Sequence, residues 1–240
     1  MEITITPITS RIKENLPRDW YYQKGEEILA SLPKDKKPRL LMHVCCGPCS
    51  CFPLTYLCPH FELTLYYGNS NIYPASEYER RLSELQKLLK DIERDYGYTI
   101  KLVVPPYDNE AYMKDLEPYA SDPEGGRRCQ LCYRKRMDEA YRYAVKNGYD
   151  FFTTVMAISS QKNSKVLNAI GEELSKTHPE CAYFYSDFKK KGGAEKGRKT
   201  RLAYGLYSQA YCGCRYSYEA MLKRPKRENE AEKAKKKESF

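Results

Sequence analysis

Arg39-Leu-Leu-Met-His-Val-Cys-Cys-Gly-Pro-Cys-Ser-Cys51 decides how this 240-residue chain is read. The run 39–44 is short and largely apolar, the pattern of a buried strand. It stops at Cys45 and Cys46, which leaves two thiols at a strand's carboxyl end. Working outward, residues 61–67 and 99–104 read as a second and third strand, the third stopped by Pro105-Pro106. Residues 150–155 and 182–185 read as a fourth and fifth. Between the second and third, Tyr78, Leu82, Leu85, Leu89 and Ile92 recur at helical spacing. A capping box of Ser76 and Glu79 is expected to open that helix, and Gly97 to close it. Further helices are expected over 132–146, 165–174 and 202–210. Strands alternating with helices of this length predict an α/β fold, a mostly parallel sheet flanked by helices. Sites in such sheets form beyond the strands' carboxyl ends. Cys45 and Cys46 stand there, and the segment 123–132, which follows a later strand, can lie beside them.

The chain divides into an N-terminal extension, 1–37, one domain, 38–221, and a basic charged tail, 222–240. Its first residues, Met1-Glu-Ile-Thr-Ile-Thr-Pro-Ile8, lack the basic and apolar regions of a signal peptide. No stretch reaches the ~18 apolar residues of a membrane span. These features predict a cytoplasmic chain with no membrane partner. The formal net charge is +9, of which residues 223–240 carry +4. With 23 tyrosines, many beside basic residues, the chain has the means to attract phosphates and stack on unpaired bases.

Ten cysteines dominate the chemistry. Eight are grouped: Cys45, Cys46, Cys49 and Cys51; Cys129 and Cys132; Cys212 and Cys214. Reducing compartments do not keep structural disulfides, so grouped thiols there point to metal or redox chemistry. Three readings compete. Cys46-Gly-Pro-Cys49 has the form of a dithiol site, which makes a thiol–disulfide oxidoreductase. Two C-x-x-C pairs make a four-thiolate structural zinc, as in an RNA-binding module. An iron–sulfur cluster spaces its ligands more widely than a single zinc and accommodates adjacent cysteines.

Six stretches in one order carry a resemblance. They are Leu41-Met-His-Val-Cys-Cys-Gly-Pro-Cys-Ser50, Asn71-Ile-Tyr-Pro-Ala-Ser-Glu-Tyr78 and Pro123-Glu-Gly-Gly-Arg-Arg-Cys-Gln-Leu-Cys-Tyr133. Phe151-Phe-Thr-Thr-Val-Met-Ala-Ile-Ser-Ser-Gln-Lys-Asn163, Ser186-Asp-Phe-Lys-Lys-Lys191 and Tyr211-Cys-Gly-Cys214 complete the set. From about residue 40 to 217 the chain resembles the cobalamin-independent epoxyqueuosine reductases of the QueH type. The resemblance implies an α/β fold like the nucleotide alpha-hydrolase-like (HUP-type) folds. It also implies the last step of queuosine biosynthesis, reduction of epoxyqueuosine to queuosine at the wobble position of tRNA. By the same resemblance Cys45, Cys46, Cys129 and Cys132 ligate a [4Fe–4S] cluster, and Cys212 and Cys214 are a redox-active pair. A further mononuclear iron is implied, for which Asp187 offers a hard oxygen donor. The partners are then tRNA carrying epoxyqueuosine and an electron donor.

Other residues have blander readings beside functional ones. Cys49 and Cys51 read as neighbours of the ligand pair, Cys51 equally as a core residue. Cys58 and Cys181 read as inert, His43 as core, His60 and His178 as surface. Arg127 and Arg128 after Gly125-Gly126, and Lys189, Lys190 and Lys191, are the candidate phosphate contacts. Tyr73 and Tyr133 either stack on a base or pack in the core.

Overall fold

The computed structural model describes residues 12, 13 and 15–224. The tail beyond 224, read above as basic and charged, lies outside them. β1 (Arg39–His43) is the centre of a five-stranded sheet in the order β3-β2-β1-β4-β5, with β2 (Glu62–Tyr66), β3 (Lys101–Val103), β4 (Phe151–Thr154) and β5 (Ala182–Tyr183). All four pairings are parallel, with Leu40 opposite Leu63 on one side and Phe151 on the other. A parallel sheet covered on both faces needs apolar residues throughout, and Leu40, Leu41, Met42 and Phe152 are fully buried. The α/β class expected from the sequence is the fold observed.

Helices connect and cover the strands: α1 (Trp20–Ser31), α2 (Gly47–Leu57), α3 (Ala75–Tyr96), α4 (Asn109–Lys114), α5 (Arg127–Lys146), α6 (Ser164–Thr177), α7 (Gly193–Ala203) and α8 (Arg215–Leu222). α1 packs through Tyr21 and Trp20 against Tyr185, just past β5. On α3, Tyr78, Leu85, Leu88 and Ile92 are buried, while Leu82 and Leu89 are half-buried at its edge.

Three local expectations are corrected. Pro74 rather than Ser76 is the N-cap of α3, with no side-chain cap bond, because the helix starts at Ala75 and takes Ser76 into its first turn. α5 starts five residues before 132, from an extended Gly126, so both Cys129 and Cys132 lie on it. The helix expected over 202–210 is instead α7, ending at Ala203. Gly205 then takes a φ of +57° and turns the chain out of helical geometry. α1, α2, α4 and α8 were not anticipated.

The chain winds from β1 to β3 in one direction and from β4 to β5 in the other. The reversal falls between β1 and β4, and parallel sheets open a crevice beyond the carboxyl ends of such a strand pair. β1 runs directly into Cys45 and Cys46. β4 runs into a 3-10 turn, Val155–Ile158, and then residues 159–162. The topology therefore aims the first cysteine group and the Ser-Ser-Gln-Lys162 stretch at one place.

Candidate metal centre

That place is a cleft of about 300 Å³, with Cys45 and Cys49 on one side and Ser159 and Lys162 on another. Cys46 is the N-cap of α2 and Cys49 belongs to its first turn. A C-x-x-C that enters a helix folds its two thiols toward each other and toward the helix's positive end. The sulfurs of Cys45, Cys46 and Cys49 all lie within 4.8 Å of one another, close enough to share a metal ion. Among the described residues no other set of His, Cys, Asp or Glu converges this way. Gln209 Nε2 donates to Cys46 Sγ at 3.2 Å from the segment before Cys212.

The electrostatics favour thiolate at Cys45. Hydrogen bonds from the Cys46 and Cys49 thiols hold Cys45 well below the usual thiol range, and Arg136 and Lys162 add positive charge. Donating to Cys45 pushes Cys46 up to about 12 and raises Cys49, with burial and the charge of Cys45 adding to the effect. Burial alone would pull the Lys162 ammonium down. The facing sulfurs of Cys212, Cys45 and Cys49 outweigh it and raise the group instead. Arg136 behaves likewise: burial opposes its charge, and Cys132, Cys45 and Cys212 restore it. Arg136 donates to Asn69 Oδ1 at 2.7 Å, and Asn69 Nδ2 in turn donates to Val44 O at the end of β1. Among the described residues neither Arg136 nor Lys162 has a carboxylate partner, although only 2% and 9% of their surfaces are exposed. Buried cations are normally paired. Here the groups that face them are sulfurs.

Cys129 and Cys132 are three apart on α5, hence on one helical face, and both are buried. They do not join the 4.8 Å group. Burial pushes the Cys132 thiol up to about 11, against Arg136 and the Tyr112 hydroxyl, which lies 3.4 Å from its sulfur. Burial also raises Cys129, which feels the charges of Cys212 and Cys214. Cys212 lines the cleft and Cys214 is the N-cap of α8. Their turn is pinned by Arg81, which donates to Tyr211 O at 3.1 Å and Cys212 O at 3.0 Å. Gly213 between them has a φ of +137°, and a Cβ there would come within 3.0 Å of that guanidinium. Arg81 is 1% exposed and pairs with Glu77 at 2.8 Å. All ten cysteines are free thiols.

The remaining candidates lie elsewhere. Asp187 does not line the cleft: it is buried, accepts from Ser164 Oγ at 2.9 Å and pairs with Lys189 at 3.2 Å. Lys189 also donates to Ala157 O, Lys190 pairs with Asp19, and Lys191 approaches the same carboxylate. Arg127 pairs with Asp122. Arg128 is buried, donating to Ala120 O at 2.6 Å beneath the Tyr216 ring. Tyr133 is buried, and Tyr73 packs edge-on against Tyr218. Cys51, Cys58, Cys181 and His43 are buried and His60 is exposed. His178 is half-buried, stacked beside Tyr141. Sequence reasoning missed Arg81, Arg136, Lys162 and Gln209, since single polar residues carry no spacing signal. Cys49 did have one, the C-x-x-C at a helix start.

The model of the family described as "Epoxyqueuosine reductase QueH" matches residues 40–220. Curated proteins of that same name are similar to this chain. The one from Streptococcus pyogenes serotype M1 is 36% identical over 181 residues, 75% of this chain and 71% of the relative. The one from Staphylococcus aureus (strain Mu50) is 34% identical over 74% of this chain and 75% of its own length. A Thermotoga maritima protein is 29% identical, covering 74% and 89%.

Proposed function

The chain belongs to the epoxyqueuosine reductase QueH family, and from that premise we propose that it reduces epoxyqueuosine to queuosine within tRNA, at the wobble position. It is an oxidoreductase of queuosine biosynthesis. The observation that carries the mechanistic part is the pair of buried cations, Arg136 and Lys162, that face thiols and no carboxylate. That arrangement fits an anionic, thiolate-held metal centre. A cavity lined by neutral thiols would leave two buried charges uncompensated, at a cost of several kcal/mol each. Our assignment keeps Cys45, Cys46, Cys129 and Cys132 as the ligands of a [4Fe–4S] cluster.

When bound, such a cluster supplies electrons one at a time. The reaction takes two electrons and two protons into the epoxide and releases an alkene and water. Oxidation of the Cys212 and Cys214 dithiol to a disulfide gives up two electrons and two protons, which balances one turnover. An external donor then resets the pair. Lys162 presents positive charge in the cleft, where it offsets negative charge on the oxygen as its carbon bond opens. Arg136 holds the end of β1 through Asn69 and so fixes the backbone that carries Cys45. For a further iron, Cys49 is better placed than Asp187, which we assign to holding the loop after β5 through Ser164 and Lys189. Among the described residues no helix is long and apolar enough to cross a membrane. We place the reaction in the cytoplasm, with the tRNA.

The test is anaerobic turnover of an anticodon stem-loop carrying epoxyqueuosine, followed by mass spectrometry of the digested nucleosides. The expected product is lighter by one oxygen, and Cys45→Ala gives none. A wild-type protein that binds iron and sulfide but leaves the epoxide intact would refute the reading.

A further inference from the structure

A cleft of about 300 Å³ takes a modified base but not the RNA that carries it. If the nucleoside enters, the phosphates on either side of it must stay at the rim. One wall of that rim is a single helical face: Ala194, Gly197, Arg198 and Arg201 of α7 all line the cleft, at the spacing that puts side chains in one row. Two residues of the row are small and two are arginines.

We propose that Arg198 and Arg201 on α7 form the docking surface for the RNA backbone, gripping the phosphates that flank the nucleoside in the cleft. The inference rests on the reading that the substrate is a nucleoside within RNA. α7 carries four cations, Lys196, Arg198, Lys199 and Arg201, against one carboxylate, Glu195. Among the described residues Arg201 has no ion-pair partner. Arg198 pairs with Glu195 at 2.8 Å, but both are about half exposed. Solvent screens a pair this exposed, and a backbone phosphate can take the guanidinium fork in place of Glu195, whose two oxygens it now meets at 2.8 Å each. On the other candidate loops Arg128, Lys189 and Lys190 are held by Ala120 O, Asp187 and Asp19, and Arg127 does not line the cleft.

The mount is rigid. A Cβ on Gly193 would lie 2.1 Å from Phe188 O and 2.6 Å from the Phe52 ring, so α7 touches α2 with no space between. At Gly197 a Cβ would meet Ile158 at 3.4 Å and Phe52 at 3.5 Å, ordinary contact, so the tight point is Gly193. α2 is the helix whose first turn carries Cys49, so the height of the arginines above the thiols is fixed by that contact. Phosphates held there set how deep the base can reach.

The experiment measures binding of a fluorescent anticodon stem-loop to the full, anaerobically prepared protein from 50 to 200 mM salt. Arg198→Gln with Arg201→Gln is expected to weaken binding about ten-fold at the midpoint. It should also flatten the salt dependence by about 1.4, or 0.7 for each single-strand phosphate contact. Lys199→Gln, one charge on the same helix but off the cleft face, keeps the slope near its starting value. Thermal unfolding checks that all variants are folded. If the double variant keeps the wild-type slope while the wild type still reduces the RNA-borne epoxide, the surface is wrong and the reading of function stands. If Lys199→Gln flattens the slope as much per charge, the attraction is diffuse and the surface is again wrong. A wild type that neither binds the stem-loop nor reduces its epoxide overturns both.

Discussion

Replacing Arg81 with Met removes the tie between α3 and the turn that carries Cys212 and Cys214. The guanidinium is 1% exposed and bonds Glu77 Oε1 at 2.8 Å, Cys212 O at 3.0 Å and Tyr211 O at 3.1 Å. Breaking a buried pair from one side costs about 3–5 kcal/mol, because the other charge is stranded. Two features place this site near the lower end. The Tyr207 hydroxyl remains 3.3 Å from Glu77, and Cys212 is partly open, so water can reach its carbonyl. About 3 kcal/mol lowers the melting temperature of a chain this size by roughly 6–12 °C. Adding Glu77→Gln removes the stranded carboxylate, so the double variant should be more stable than the two single losses summed, by about 1–2 kcal/mol. Locally, Tyr73 N donates to Gly213 O at 2.7 Å, and that amide should exchange with solvent faster in Arg81→Met. Calorimetry and hydrogen exchange give both readouts. A melting temperature within about 2 °C of wild type, with Tyr73 still protected, would show that the turn is held by something other than Arg81.

Three further outcomes follow from the same geometry. Anaerobic protein should contain iron and acid-labile sulfide. Cys45→Ala, Cys46→Ala, Cys129→Ala and Cys132→Ala should each lose most of both, whereas Cys212→Ser and Cys214→Ser keep them; full iron in Cys129→Ala removes it from the ligand set. Lys162→Met takes away a cation facing the thiols and should lower the reduction potential of the bound centre. The shift is on the order of 1–2 kcal/mol, about 40–90 mV for one electron, and an unchanged potential in a redox titration contradicts the placement. Gly193→Ala forces α7 off α2 and should cost about 2 kcal/mol in urea unfolding.

The sheet was legible because each strand is a short apolar run with a clear stop: 39–44 before the cysteines, 99–104 before two prolines. All five strands lie where those runs predict, and their parallel pairing follows from the helices between them. Helix starts were less legible. Ser76 and Glu79 spell a capping box, yet Pro74 opens α3 two residues earlier, because local hydrogen-bond chemistry does not decide where the chain enters from. Gly193 begins α7 because the helix needs a small residue there to press against Phe52, while Gly192 caps it at a φ of +79°. That requirement is tertiary and leaves no local pattern. The thiols of Cys45 and Cys46 were readable from their position after a strand. Arg136 and Lys162 were not, because a cation in a helix or loop looks like surface until the fold buries it. The lysines at 189–191 show the converse: a run that reads as candidate phosphate contacts holds ion pairs with Asp187 and Asp19.

The central claim is that electrons reach the epoxide through the thiol-held centre of this chain. Protein loaded with iron and sulfide, reduced chemically and freed of reductant, can be mixed anaerobically with one equivalent of stem-loop epoxyqueuosine. Visible absorbance and product are then followed together. The account predicts one queuosine formed for every two electrons lost from the protein, with the centre's absorbance changing in the same phase and neither event occurring in Cys45→Ala. Queuosine formed at full rate with no change in the centre, or a centre that oxidises with no product, would contradict it.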